Sequence, residues 1–515
     1  MMKYKNSVFY ISLILSLMLI SVGVFIPEKL ESFSSGSLGF IYNNLGWFIL
    51  GCVFIFFLFC MTLAVSKFGH IRLGDDHDRP EYNTATWIGM LFSASIGISL
   101  VFWGIAEPVS YYIDPPTGAG STEQSAKMAM QYVYLHWGVS AWSCYALVGV
   151  AIAFFQFRKK LPASLSSVFY PLIGDRIRGP IGKWIDVVVI LSVVIGIATS
   201  LGFGTMQVNS GMNVLWGVPI STFTQIAIIS IVTVVYIAST ISGLQGAIKN
   251  LSNLNMILAF FLLGFVLLMG PTQVIFKVLF QGMGDYIQNF VSMSFRTEPY
   301  GDGTWIASWT LFYFGWWIAW APLVGSFVAR ISKGRTIKEF MMGAVFIPAL
   351  GSFVWFAVMG GSAIHIIQNL GEVALAQAVE TDVTSALFKF LDYFPMATPL
   401  SILAMVLVLI FFITSANSAV FVLGMISENG NPNPSTTTKV IWGVVIAGIA
   451  MVLMMTGGLS GLQSALVAMA LPLSVLMLVM CYSTYKGLSE EVRIMEENCA
   501  NNAKAPAVAA LTEQA

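Results

Sequence analysis

Ser308-Trp-Thr-Leu-Phe-Tyr-Phe-Gly-Trp-Trp-Ile-Ala-Trp-Ala-Pro322 decides how this chain is read. It is an apolar stretch of membrane-helix length with aromatic rings through its middle. A basic loop, Arg330 to Lys338, follows directly. A helix that only faces lipid is built from Leu and Val, with Trp at its ends. Here Trp316, Trp317 and Trp320 lie inside the span. Aromatic ring faces attract cations through their quadrupole. A row of Trp within a span therefore suggests a cage for a quaternary ammonium ion, and a carrier of betaine-like solutes.

The rest of the chain has the composition of a membrane protein. It has 515 residues, 57% hydrophobic and 10% charged, with mean hydropathy +0.80. Soluble domains average about 25% charged residues. The expected class is an all-α polytopic membrane protein. Formal net charge is zero, so bulk electrostatics names no nucleic-acid partner. The cysteines Cys52, Cys60, Cys144, Cys481 and Cys499 form no CxxC pair and read as packing residues. The segment after Lys3 and Lys5 lacks a clear cleavage site and reads as a first helix, not a signal peptide. No Walker motif, nucleophile elbow or HExxH sequence occurs. His70, His77, His136 and His365 form no sequence cluster. An enzyme or an ATP-driven pump has little support, and no resident cofactor is expected.

A span needs about 20 apolar residues. About twelve candidates lie near 8–26, 45–66, 87–112, 130–156, 185–208, 222–241, 251–270, 305–329, 340–365, 397–425, 437–456 and 462–484. The segment 273–296 has helical apolar spacing broken by Gln281, Asp285 and Gln288, and reads as an interfacial helix. If the N-terminus is cytoplasmic, the even loops carry most of the Lys and Arg, notably Arg158, Lys159, Lys160, Arg330 and Lys333. Both termini are then expected inside.

Two spans are irregular in composition. Span three carries Ser93-Ala-Ser-Ile-Gly-Ile-Ser99 and span ten carries Phe411-Phe-Ile-Thr-Ser-Ala-Asn-Ser-Ala419. Small residues favour close helix packing, and hydroxyls can bond back to their own helix. The functional alternative is a broken helix whose freed carbonyls bind a cation. Residues alone leave both readings open.

On span four, Trp137, Trp142 and Tyr145 fall within an arc of about 140° on a regular helix. On span eight, Trp316 and Trp320 share a face, with Trp317 about 100° round. A trimethylammonium group has no N–H. It is held by dispersion and by ring faces, each contributing about 0.5–2 kcal/mol when desolvated. Several rings could bind it without a buried carboxylate, which suits spans nearly free of Asp and Glu. Interfacial Trp and plain aromatic packing are the alternative, strongest for Trp137. Thr414 and Ser415 hydroxyls with helix-break carbonyls could ligate sodium. A solute carboxylate could rest on backbone N–H groups of the Ser93–Ser99 break.

Three motifs carry a resemblance: Phe102-Trp-Gly-Ile-Ala-Glu-Pro108, His136-Trp-Gly-Val-Ser-Ala-Trp142, and Trp309 to Pro322 continuing into Phe327-Val-Ala-Arg-Ile-Ser-Lys-Gly-Arg-Thr-Ile-Lys-Glu-Phe340. With them the chain resembles the betaine/choline/carnitine transporter (BCCT) family over nearly its whole length. The resemblance implies a LeuT-like core of two inverted five-helix repeats, 87–270 and 305–484. It implies two extra N-terminal helices in 1–86, an interfacial segment 271–304 and a cytoplasmic tail 485–515. It further implies a homotrimer and alternating access in a bacterial cytoplasmic (inner) membrane. The family's aromatic box would be Trp137, Trp142, Tyr145 and Trp317. Trp316 and Trp320 would line the solute's inward route, and Ser95, Gly97 and Ser99 would face the solute. The main sodium site would be Ser93, Ile96, Phe411, Thr414 and Ser415.

There are departures from the family pattern. Sodium-coupled betaine carriers usually have Gly-x-Gly-x-Gly where this chain has Ser95, Gly97 and Ser99. Ser99 is not the Asp of proton-coupled choline carriers. Asn417 stands where many members have Asp, Leu323 replaces a common Phe, and Phe314 replaces a common Trp. The tail lacks a long basic extension. The expected function is sodium-coupled import of a betaine-type or quaternary-ammonium solute. The alternative is a choline or carnitine carrier, proton-coupled or an exchanger independent of sodium.

Overall fold

The computed structural model describes residues 7–95, 97–242, 245–301, 303–431 and 433–512. Ten of its helices are long and apolar enough to cross a bilayer. Among the described residues there is no strand, only an isolated antiparallel bridge between Arg72 and Thr336. The chain is an all-α polytopic membrane protein.

The ten helices fall where the apolar segments lie, with instructive differences. The segment 87–112 is two shorter helices, Thr84–Ser95 and Ile98–Ile113. Gly97 is extended at their junction (φ −149°, ψ −176°). The last two apolar segments share one helical tract, Thr436–Thr512, interrupted at Gly458 (φ 55°, ψ −131°). Gly458 takes a left-handed φ, open to glycine at little cost. At the other end, Ser7–Phe25 is followed almost at once by Pro27–Val65, with Pro27 in its first turn. Proline is tolerated there because the first helical amides have no partner to lose. The 39-residue helix is about 58 Å long at 1.5 Å per residue, so residues expected to be linker extend the span. Thr272–Ser294 is a helix outside the ten membrane-length apolar ones. It packs on Glu123–Trp137 and Ile337–Leu370.

Glycines set the approach of the two helices that matter most. Phe312–Ile331 packs along Val139–Ala153. A Cβ added to Gly325 would lie 2.8 Å from Val148 Cβ, and one added to Gly149 would lie 3.2 Å from the Gly325 carbonyl oxygen. Without a hydrophobic drive between helices in lipid, small residues and dispersion hold such a pair. The basic loop is also pinned. Leu73 N donates to Arg335 O and Gly334 N to Leu73 O, each at 2.8 Å. The Arg335 guanidinium lies 4.0 Å from the centroid of the Trp87 ring. The loop after the Trp-rich helix is thereby tied to the first half of the broken span.

Candidate functional site

The expected span 130–156 is interrupted at Gly138, between Glu123–Trp137 and Val139–Ala153. A Cβ at Gly138 would lie 2.3 Å from Tyr134 O and 2.9 Å from Phe353, so a side chain does not fit. The 140° arc drawn for one regular helix therefore does not describe Trp137. Trp137 ends one helix, while Trp142 and Tyr145 belong to the next.

The four box residues nevertheless meet. The Trp137 and Trp317 ring centroids are 4.8 Å apart, Tyr145 and Trp317 6.2 Å, and Trp142 and Tyr145 5.2 Å. All three contacts are edge-to-face, at 67°, 84° and 83°. Each ring keeps 4–5% of its surface accessible, whereas Trp316 keeps none. Trp316 stacks on Trp317 (5.3 Å, 10°) and meets Phe203 of Pro180–Trp216 at 5.1 Å. Trp320 lies against the same helix, where a Cβ on Gly196 would be 2.8 Å from its Cδ1. Trp316 and Trp320 do share a face, but one turned away from Trp137 and Tyr145.

Behind the box lies a polar network that the sequence reading passed over. Glu107 is fully buried. Its Oε2 accepts from Trp137 Nε1 at 2.6 Å, and its Oε1 lies 3.0 Å from His136 Nδ1. His136 Nε2 is 3.1 Å from Thr310 Oγ1, and Tyr111 OH is 3.1 Å from Nδ1. The His136 backbone carbonyl accepts from Trp317 Nε1 at 2.6 Å. The box was expected without a carboxylate nearby, yet one lies a single hydrogen bond behind Trp137. His136, expected to join no cluster, is at its centre. The signal was present, since an acid inside a membrane span is a functional candidate by default.

The ion-site residues are only partly described. Ile96 lies outside the described residues, and Ser93 and Ser95 are described only through the backbone of Thr84–Ser95. Ser99 is half-buried in the first turn of Ile98–Ile113, where the Leu100 and Val101 amides both donate to Gly97 O, at 3.1 and 3.3 Å. Thr414 and Ser415 sit half-buried in the unbroken helix Ala397–Ser427. Thr414 Oγ1 donates to Ile410 O (3.0 Å) and Phe411 O (3.2 Å). That bond brings two of the expected oxygens together. Asn417 Oδ1 accepts from Thr240 Oγ1 at 2.7 Å, so the amide ties this helix to Thr222–Ser242.

The family model described as betaine/carnitine/choline family transporter (BCCT) matches residues 7–493. The chain belongs to the BCCT family. It is 43% identical over 496 residues to the glycine betaine transporter OpuD of Bacillus subtilis, with 96% of each protein covered. It is 40% identical over 496 residues to the ectoine/hydroxyectoine transporter of Virgibacillus pantothenticus, covering 96% of this chain and 98% of the relative. A glycine betaine transporter of Acinetobacter baylyi is 37% identical over 482 residues, covering 94% of this chain and 73% of the relative. These BCCT relatives are named as transporters, not enzymes.

Proposed function

We propose that this BCCT protein imports glycine betaine or a close zwitterionic relative, driven by sodium. One observation carries the reading: Trp137, Trp317, Tyr145 and Trp142 form an unbroken series of ring contacts. The similarity to glycine betaine and ectoine transporters supports it. An onium group offers no N–H, so ring faces are its natural partners. Ser99 has no charge with which to balance a bare cation such as choline, and the positive end of the helix dipole beside it suits a carboxylate. Thr414, Ser415, Phe411, Ser93 and Ile96 supply the sodium oxygens in this reading. The repeats 87–270 and 305–484 exchange outward and inward access around the box. The assembly is a homotrimer in a bacterial cytoplasmic membrane, with both termini inside.

A second reading has a specific observation behind it. Proton coupling in place of sodium coupling is suggested by the buried carboxylate–imidazole contact, in which Glu107 Oε1 and His136 Nδ1 lie 3.0 Å apart. Radiolabelled uptake into proteoliposomes separates the two. Glycine betaine uptake that rises with an inward sodium gradient and ignores a proton gradient supports the first. Uptake driven by protons alone supports the second, and no betaine uptake under either gradient rejects both.

A further inference from the structure

The opening motif Phe102–Pro108 carries an acid whose role the box itself does not explain. Glu107 lies in the middle of Ile98–Ile113, fully buried. Its two oxygens are divided between neighbours: Oε2 takes the Trp137 N–H at 2.6 Å and Oε1 faces His136 Nδ1 at 3.0 Å. His136 is held from the opposite side by Thr310 Oγ1 at 3.1 Å, in the tract leading to the Trp-rich helix. Its own backbone carbonyl takes the Trp317 N–H at 2.6 Å. Both indoles that meet at 4.8 Å are thus tethered by their only polar atom.

Tethering matters because a cation is attracted by the face of an aromatic ring and repelled by its edge. An indole free to turn about χ2 could present its edge, and χ2 wells of aromatic residues are broad. A hydrogen bond from N–H to a buried carboxylate fixes that angle.

We propose that Glu107 is the positioning residue of the onium site, orienting Trp137 through its indole N–H. The inference rests on the betaine-binding reading and adds the element that sets the angle of that ring. Glu107 never touches the solute; it acts through the Trp137 indole, while Trp317 is held separately by the His136 backbone carbonyl.

The test uses full-length protein in nanodiscs. Glycine betaine affinity is measured from intrinsic fluorescence, and acrylamide quenching is measured without solute. Glu107→Gln keeps an oxygen acceptor of the same shape and should bind within about threefold of the parent. Glu107→Ala should raise Kd by about tenfold or more and increase ligand-free quenching. In a Trp137→Phe background, which lacks the donor, Glu107→Ala should lose most of its added effect on Kd. Full additivity there, or parent-like Kd and quenching in Glu107→Ala, overturns the proposal. If Glu107→Ala does not fold, the same cycle is run with Glu107→Leu, which fills the space but accepts no hydrogen bond; non-additivity with Trp137→Phe is again expected, and additivity overturns the proposal. A parent that binds no betaine defeats the substrate reading alone. The quenching increase in Glu107→Ala, which should vanish in the Trp137→Phe background, then still decides whether Glu107 orders the Trp137 indole.

Discussion

Trp317 donates its indole N–H to the backbone carbonyl of His136, 2.6 Å away. The residue after that carbonyl is Trp137, whose ring meets Trp317 at 4.8 Å. One bond thus registers the Trp-rich helix against the end of Glu123–Trp137. The contact between the Trp137 and Trp317 rings depends on that register.

Trp317→Leu keeps an apolar side chain and removes a ring face. Losing one desolvated cation–π contact of about 1–2 kcal/mol should weaken betaine binding about 5- to 30-fold. Trp316→Leu should have a smaller effect on affinity, because Trp316 is fully buried against Phe203. Isothermal titration of both variants checks this. Equal losses would mean that the two rings have the same role.

Thr414→Val removes a hydroxyl at nearly constant volume. If Thr414 ligates sodium beside the Phe411 carbonyl, 3.2 Å from its Oγ1, the sodium concentration for half-maximal uptake should rise. Folding should change little, since among the described residues the hydroxyl donates only within its own helix turn. A sodium dependence unchanged in Thr414→Val combined with Ser415→Ala would remove these residues from coupling.

Gly325→Ala should part the two central helices, because its Cβ would lie 2.8 Å from Val148 Cβ. Overpacking of this kind costs about 1–3 kcal/mol. Gly36→Ala is the control, since its Cβ would meet nothing within 4 Å. Thermal unfolding in detergent should fall for the first variant and not for the second.

Glu428 joins the loop after Ala397–Ser427 to the next helix. Its carboxylate accepts from Ser435 Oγ (2.7 Å), Thr438 Oγ1 (2.7 Å) and Asn431 Nδ2 (2.9 Å). Burial pushes its carboxyl up, but these bonds outweigh burial and hold it below the ordinary value of 4.5. A lowered carboxyl stabilises the fold fully above its unfolded pKa. That contribution is lost as the pH falls through the folded value. Thermal stability should therefore drop in acid below about pH 4.5, with a shallower drop in Glu428→Gln. Glu428→Ala, which removes the shared acceptor of the Ser435, Thr438 and Asn431 side chains and of the Ser435 backbone N–H, should cost about 1–3 kcal/mol at neutral pH. Equal acid sensitivity in parent and Glu428→Gln would exclude this group.

Much of this was legible in the sequence. The apolar runs marked the helices because lipid demands long uninterrupted stretches. Trp137, Trp142, Tyr145 and Trp317 were named together only through the family resemblance; spacing alone placed Trp137, Trp142 and Tyr145 on one face and left Trp317 apart from them. The break at Gly138 was not, since a glycine in a helix gives no hint that Tyr134 and Phe353 crowd its Cβ position. Nor was the division between Trp317 and Trp316. Adjacent residues point about 100° apart, and only the neighbouring helices decide which direction is the box. Glu107 and His136 lie 29 residues apart, so their pairing needed the packing of two helices.

The central claim is that ring faces hold a positive charge. Glycine betaine has a carbon isostere, the anion 3,3-dimethylbutanoate, in which carbon replaces the quaternary nitrogen while shape and carboxylate remain. Competition of each compound against radiolabelled glycine betaine on purified protein compares charge at constant shape. The account predicts at least about tenfold weaker binding of the isostere, with the gap narrowing in Trp317→Leu. Equal affinity for the two compounds in the parent protein would contradict it.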